Sequence, residues 1–321
     1  MKKYLISLIM ILFSVQQSFT AEAGSGIPIL MLDSYGARQV ALGDTFTGIA
    51  DDINSISVNP AGLSSLQAFE ISSMYMKYLE DLSFGYLALG MPLPSNAGYV
   101  GASLSLFSVP DFDGYDLAGN KSADSSSSGD MGFSVAYANN PFKLLNIDAN
   151  LNLGFSVKYI QSKLAGSSIS ALGFDIGGLY RLNIPNLGSK EAKENLGIGV
   201  SIQNLGSSIK YKAEETLLPQ NLRFGLGYRG FNSENHSVLV GFDVNMPNDS
   251  DSIMSAGLEY TFMQIISARA GYKFSGTDIG GLSFGIGAGY NLSGKRISLD
   301  YALVPVEEFN TVHTFSLGIR F

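Results

Sequence analysis

Few side chains in this sequence could carry covalent chemistry. There is no cysteine, so a thiol nucleophile, a disulfide framework and a thiolate metal site are all ruled out. Of the 2 histidines, His236 sits in a connection and His313 opens the last alternating run. A zinc site or a hydrolytic triad needs histidine with oriented partners, and neither position supplies them. Two strings imitate catalytic signatures. Gly281-Leu-Ser-Phe-Gly285 fits a nucleophile elbow and Gly225-Leu-Gly-Tyr-Arg-Gly230 fits a dinucleotide fingerprint. Both lie inside alternating strands with no helix after them, so they read as by-products of glycines at every second position. No enzyme, cofactor or metal is expected.

What remains is ionic. Placing the polar face of each alternating run inward collects Lys158, Arg181, Arg223, Arg229, Arg269, Lys273, Arg296 and Arg320 in one interior, with Glu70, Asp175, Asp243, Glu259 and Asp300 as acids. The interior is net basic although the chain carries −8 overall, so acids concentrate in connections and near the amino terminus. That balance leaves no basic footprint for nucleic acid. Arg223, Arg229 and Arg269, read as lying on neighbouring strands, are the candidates for an anionic headgroup such as a carboxylate. Pairing with interior carboxylates is the alternative role for the same arginines.

The elements that would position these groups are strands. Period-two alternation recurs from Phe69 to Phe321 in about fourteen runs, the count and length expected of a tilted transmembrane barrel. In one, Leu282, Phe284, Ile286, Ala288 and Tyr290 oppose Ser283, Gly285, Gly287 and Gly289. Tyr180, Tyr228, Tyr260, Tyr272 and Tyr290 fall on apolar faces near strand ends, where an aromatic girdle meets headgroups. No apolar run is long enough for a membrane helix. The longest connection, Ser108–Asp130, is rich in Ser and Asp and is expected as an outer loop. Residues 1–23 read as an export signal: Lys2 and Lys3, an apolar core from Tyr4 to Val15, then Ala21-Glu22-Ala23. The barrel would occupy 68–321, leaving 24–67 between signal and barrel.

That intervening segment does not alternate. Without regular pairing it cannot face lipid, because its backbone groups would lack partners. It is therefore expected inside the lumen as a plug, with Asp44, Asp51 and Asp52 meeting interior arginines. Its ordered motifs are Gly36-Ala-Arg38, Ala41-Leu-Gly43, Ala50-Asp-Asp52 and Asn59-Pro-Ala-Gly-Leu63. Pro60 fixes its own backbone and pushes Asn59 out of the helical region, and Gly62 permits a tight turn. This ordered set resembles the hatch of FadL-type outer-membrane proteins, fourteen-stranded barrels that admit hydrophobic compounds, and its wording resembles most the PorV/PorQ branch and related families.

The resemblance implies an outer-membrane barrel through which hydrophobic or amphipathic small molecules pass without energy coupling, with Asn59, Pro60, Ala61 and Gly62 as a gating turn. The PorV/PorQ likeness implies the alternative, a barrel that binds exported proteins or a secretion machine. Long-chain fatty-acid uptake fits less well, since Ser108–Asp130 is short and polar for a ligand-catching loop. The terminal Phe321, with apolar residues at two-residue steps before it, resembles the signal read by the barrel assembly machinery. Outer-membrane lipid, that machinery, and a hydrophobic ligand or a secreted protein are the expected partners.

Overall fold

Alternating runs become a closed sheet. The computed structural model describes residues 35–78, 82–115, 121–144, 149–164, 167–184, 195–206, 209–211, 214–216, 218–232, 235–274, 281–306 and 311–321. The export signal and residues 24–34 of the expected plug lie outside the described residues.

The barrel strands are β1 (Glu70–Lys77), β2 (Ser83–Pro92), β3 (Tyr99–Tyr115), β4 (Lys121–Asn139), β5 (Leu151–Leu164), β6 (Ser167–Leu182) and β7 (Leu196–Gly206), then β10 (Asn221–Asn232), β11 (His236–Pro247), β12 (Ile253–Phe262), β13 (Ile266–Phe274), β14 (Gly281–Leu292), β15 (Lys295–Val304) and β16 (Val312–Arg320). A small separate hairpin, β8 (Ile209–Tyr211) with β9 (Glu214–Thr216), lies in the connection before β10. The fourteen barrel strands pair antiparallel in chain order. Closure comes from β1 on β16, with Glu70 opposite Arg320 and Lys77 opposite His313. Such closure leaves no free edge. Beyond the last pair, the Phe321 N–H donates to the Phe69 carbonyl at 2.9 Å and the two rings lie 5.4 Å apart.

The outer face carries the greasy members of each run. Ile286 (63% exposed), Leu299 and Phe315 are exposed there, as a lipid-facing wall requires. Tyr180, Tyr260, Tyr272 and Tyr290 are exposed on the same face near strand ends. The 2 histidines also stand on this face, His236 bonded to Tyr260 and His313 to Tyr301, each at 2.7 Å.

Two expectations need correction. Most of Ser108–Asp130 is not loop: β3 and β4 are 17 and 19 residues long and pair as far as Tyr115 with Lys121. Serine and aspartate are poor strand formers alone, but a partner strand already fixed by the barrel lets the hairpin continue. The interior is also not polar all round. On β1 and β2 the inward residues include Met74, Met76, Phe84, Tyr86 and Ala88, all buried. They belong to one apolar cluster with Tyr35, Val40, Ile53, Ile56, Leu63, Ala302 and Val312.

Candidate functional site in the barrel interior

The amino-terminal segment is short helical pieces held by caps. Helix α1 (Ala37–Ala41) follows Gly36, whose φ of 138° suits glycine. A 3-10 turn at Ile53–Ser57 is capped by Asp52, whose carboxylate accepts from the Asn54 N–H at 2.9 Å. A second, Pro60–Ser65, is capped by Asn59, whose Oδ1 accepts from the Ala61 N–H at 3.2 Å. The Asn59 amide nitrogen donates to the Thr47 carbonyl at 3.0 Å and to the Gly178 carbonyl at 3.1 Å. Asn59 thus joins two parts of the segment to strand β6, which explains why an amide is needed. Gly62 serves a different purpose from the one its sequence context suggests. Its backbone is not left-handed, and a Cβ there would stand 2.6 Å from both the Ala50 and Ser55 side chains. Close packing, not turn conformation, demands glycine.

The wall receives this segment at its inward glycines. A Cβ at Gly285 would strike Ala41, and one at Gly271 would strike Gly43. Added Cβ atoms at Gly257, Gly241 and Gly225 would fall 2.6 Å from Leu42, Thr45 and Gly48 respectively. At Gly199 the clash is with the Thr47 carbonyl, at Gly177 with Asn59, at Gly154 with Pro60 and Ala61, and at Gly90 with Ile53. Residues 41–48 follow the inner wall in reverse strand order from β14 to β7; Ile53 then touches β2, and Asn59 to Ala61 lie against β6 and β5. Of the glycines in the two enzyme-like strings, Gly225, Gly227 and Gly285 lie on this track, and Ser283 donates to the Ala41 carbonyl at 3.2 Å.

Charges lock the path. Arg38 is the hub, with Nη1 2.6 Å from Asp51 and 3.1 Å from Asp52, and Nε 2.7 Å from Glu259 on β12. Arg269 bonds the same Glu259 at 2.6 Å and Asp300 at 2.6 Å. Arg229 reaches Asp51 at 3.1 Å. Arg223 stands 3.5 Å from Asp243 and donates to Thr47 and to the Asp44 carbonyl, while Lys273 pairs with the Asp44 carboxylate. Lys158 meets Asp175 at 2.9 Å, and Arg181 donates to the Ile49 and Ala50 carbonyls. Arg223, Arg229 and Arg269 thus each hold a carboxylate partner. Nor are they on neighbouring strands: two lie on β10 and the third on β13, with β11 and β12 between.

Burial opposes ionisation of Arg38, Asp51 and Asp52, and the neighbours decide each outcome. Asp52 is pushed above its ordinary value by burial, with Asp51 adding to the push against the pull of Arg38. Asp51 is buried too, yet Arg38 and then Arg229 hold it below. Burial disfavours charge on Arg38 as well, but Asp51, Glu259 and Asp52 keep it well above its ordinary value.

At the end of the barrel where Phe321 lies, a cavity of about 840 Å³ opens beneath the segment, lined by Arg38, Asp51, Asp52, Glu259, Arg269, Arg296 and Arg320 among others. On the opposite side of the segment, Tyr35 stacks on Tyr86 with ring centroids 4.7 Å apart, beneath Met74, Met76 and Phe84. The interior therefore has a polar, ion-paired vestibule on one side and an apolar wall on the other. Sequence reasoning missed both Arg38 as hub and the apolar wall. The available signal was the inward register of β1, where Met74 and Met76 share a face with Glu70 and Ser72.

A closed, antiparallel, fourteen-stranded sheet with lipid-type residues outside defines a β-barrel of the membrane-spanning type. The chain belongs to the uncharacterised protein family UPF0164, whose family model matches residues 16–321. A UPF0164 protein of Treponema pallidum (strain Nichols) is 25% identical over 300 residues, covering 89% of this chain and 66% of that protein, so the chain spans just under two thirds of its relative's length. Among solved structures, the Ralstonia pickettii toluene transporter TbuX aligns over 90% of this chain and 99% of its own with a TM-score of 0.57 at 12% identity. A deletion mutant of the monoaromatic hydrocarbon channel TodX gives 0.56 at 14% identity, over 90% of this chain and 98% of its own. The monoaromatic hydrocarbon channel CymD gives 0.52 at 12%, over 88% and 96%. At these identities the likeness is one of fold.

Proposed function

We propose that the protein is an outer-membrane passage for small hydrophobic or amphipathic molecules, with the amino-terminal segment as its hatch. One observation carries this reading: an interior wall of Met74, Met76, Phe84, Tyr86 and Val312, packed against Tyr35, Val40 and Ile53 of the segment, beside a vestibule lined by ion pairs. A passage for hydrophilic solutes gains nothing from such a wall, whereas burying an apolar solute against it recovers about 25 cal/mol per Å² removed from water. The hydrocarbon channels of like fold support the same class of solute. Asn59, Pro60, Ala61 and Gly62 fit the gating turn, since Asn59 alone ties Thr47, Gly178 and Ala61 together.

The test is binding of 1-N-phenylnaphthylamine to the purified barrel, competed by an unlabelled aromatic hydrocarbon. Saturable, competed fluorescence that is lost in Met76→Glu supports the reading. Unchanged binding in that variant refutes it.

A second reading, that the barrel receives exported proteins as the PorV/PorQ branch does, draws on the long β3–β4 hairpin, which continues past the last residues of β2 paired with it. Crosslinks from that hairpin to secreted proteins in intact cells would favour it, and their absence would remove it.

A further inference from the structure

We infer that Arg296 and Arg320 form an oxyanion site at the mouth of the vestibule, taking a phosphate or carboxylate group. The two stand directly opposite each other on β15 and β16, and both side chains line the cavity. Like charges directly opposite on one face of a sheet repel; Glu70 offsets Arg320 from the β1 side, and an anion between the two arginines would offset Arg296 as well. Arg296 is unusual in this interior. Arg38, Arg223, Arg229 and Arg269 each lie within 3.5 Å of a carboxylate. Among the described residues no carboxylate is within ion-pair distance of Arg296. Its hydrogen bond is from Nη2 to the Gln264 carbonyl at 2.8 Å.

Of the neighbouring acids, Glu70 on β1 bonds Arg320 itself, and Asp300 on β15 holds Arg269 at 2.6 Å, which leaves Arg296 as the member without a carboxylate. The carboxyl terminus of Phe321 lies at the same rim, and no ion pair links it to a described residue. Gly289 on β14 lets the Arg296 guanidinium lie flat, since a Cβ there would stand 2.7 Å from Nη2. Held between the Gly289 backbone and the Gln264 carbonyl, Arg296 keeps the rest of its donor fork for the cavity. A planar fork suits two acceptor oxygens, which is the geometry of phosphate and carboxylate. This site is separate from the apolar wall and stands whether or not the proposed passage does.

The experiment follows thermal unfolding of the purified full barrel in neutral detergent, titrating inorganic phosphate against chloride at matched ionic strength. Wild type should gain stability saturably with phosphate. Arg296→Gln should weaken the apparent phosphate affinity about tenfold or more, which is about 1.4 kcal/mol. In chloride alone it should unfold at the same temperature as wild type or higher, because repulsion is relieved. Arg296→Lys keeps the charge without the fork and should fall between the two. No phosphate response in wild type, an equal response in Arg296→Gln, or a lower midpoint of that variant in chloride would each overturn the inference; the last would mean that Arg296 serves the fold or the terminal carboxylate. Phosphatidylglycerol added to the micelles separates the sources. If it suppresses the phosphate response where phosphatidylcholine does not, the site accepts a lipid headgroup; if neither does, the site takes soluble oxyanions, and the inference stands in both cases.

Discussion

Arg38→Met should open the amino-terminal segment without opening the barrel. The guanidinium contacts three carboxylates, at 2.6 Å (Asp51), 3.1 Å (Asp52) and 2.7 Å (Glu259), with side-chain exposures of only 6–22% across the four groups. Removing one partner of a buried pair costs about 3–5 kcal/mol, because the other charge is left without compensation. Arg269 still serves Glu259 and Arg229 still serves Asp51, so the uncompensated group is chiefly Asp52. With Asp52 a fifth exposed to the vestibule, the lower end, about 3 kcal/mol, applies. That is roughly a hundredfold rise in the open population of the segment. The assay is native-state hydrogen exchange on the barrel in detergent. Amides from Ala37 to Gly43, and those of the turn after Asp52, should lose about two decades of protection while strand amides keep theirs. Equal loss in segment and strands would refute the idea that the segment opens as its own unit. No loss at all would refute the role of Arg38 as its lock.

Asp51 and Asp52 should respond oppositely to neutralisation. Asp52 has a raised value in the folded state, so its contribution is complete below the ordinary carboxylate value and is lost as pH rises through the raised one. Asp52→Asn should therefore leave the segment as protected as wild type or more so at neutral pH, with any gain vanishing in acid. Asp51 has a lowered value, so its contribution is present above the ordinary value and fades as pH falls through the lowered one, and Asp51→Asn should reduce protection at neutral pH. Gly199→Ala places a methyl on the Thr47 carbonyl and should cost about 1–3 kcal/mol as overpacking, read as faster exchange at Thr47 to Ala50. Gly281→Ala, where a Cβ would meet nothing within 4 Å, is its control for glycine removal away from the track, though its φ of +128° adds local strain.

The barrel was legible because a lipid-facing sheet must alternate. Runs such as Leu282–Tyr290 and Thr311–Phe321 carry the period in every residue, and the strands formed where that period lasted. The hairpin past Ser108 was not legible, since its pairing is imposed by β3 and β4 below it rather than by its own residues. Inward glycines were visible as a pattern, but not as a docking track, because their partner segment has no period of its own. The charged residues were assigned to the interior by face. Which acid each would meet depends on the path of residues 41–66, a tertiary fact with no local signature. The apolar wall was not read from the sequence: Met74 and Met76 share the inward face of Glu70, and in a barrel such apolar residues make sense only if the interior itself has an apolar wall.

Uptake by intact cells tests the central proposal most directly. Cells bearing the barrel should take up an uncharged monoaromatic hydrocarbon several-fold faster than cells lacking it, with uptake of a disaccharide unchanged and the advantage lost in Met76→Glu. Equal acceleration of the disaccharide, or hydrocarbon uptake indifferent to the barrel and to Met76→Glu, would contradict the account.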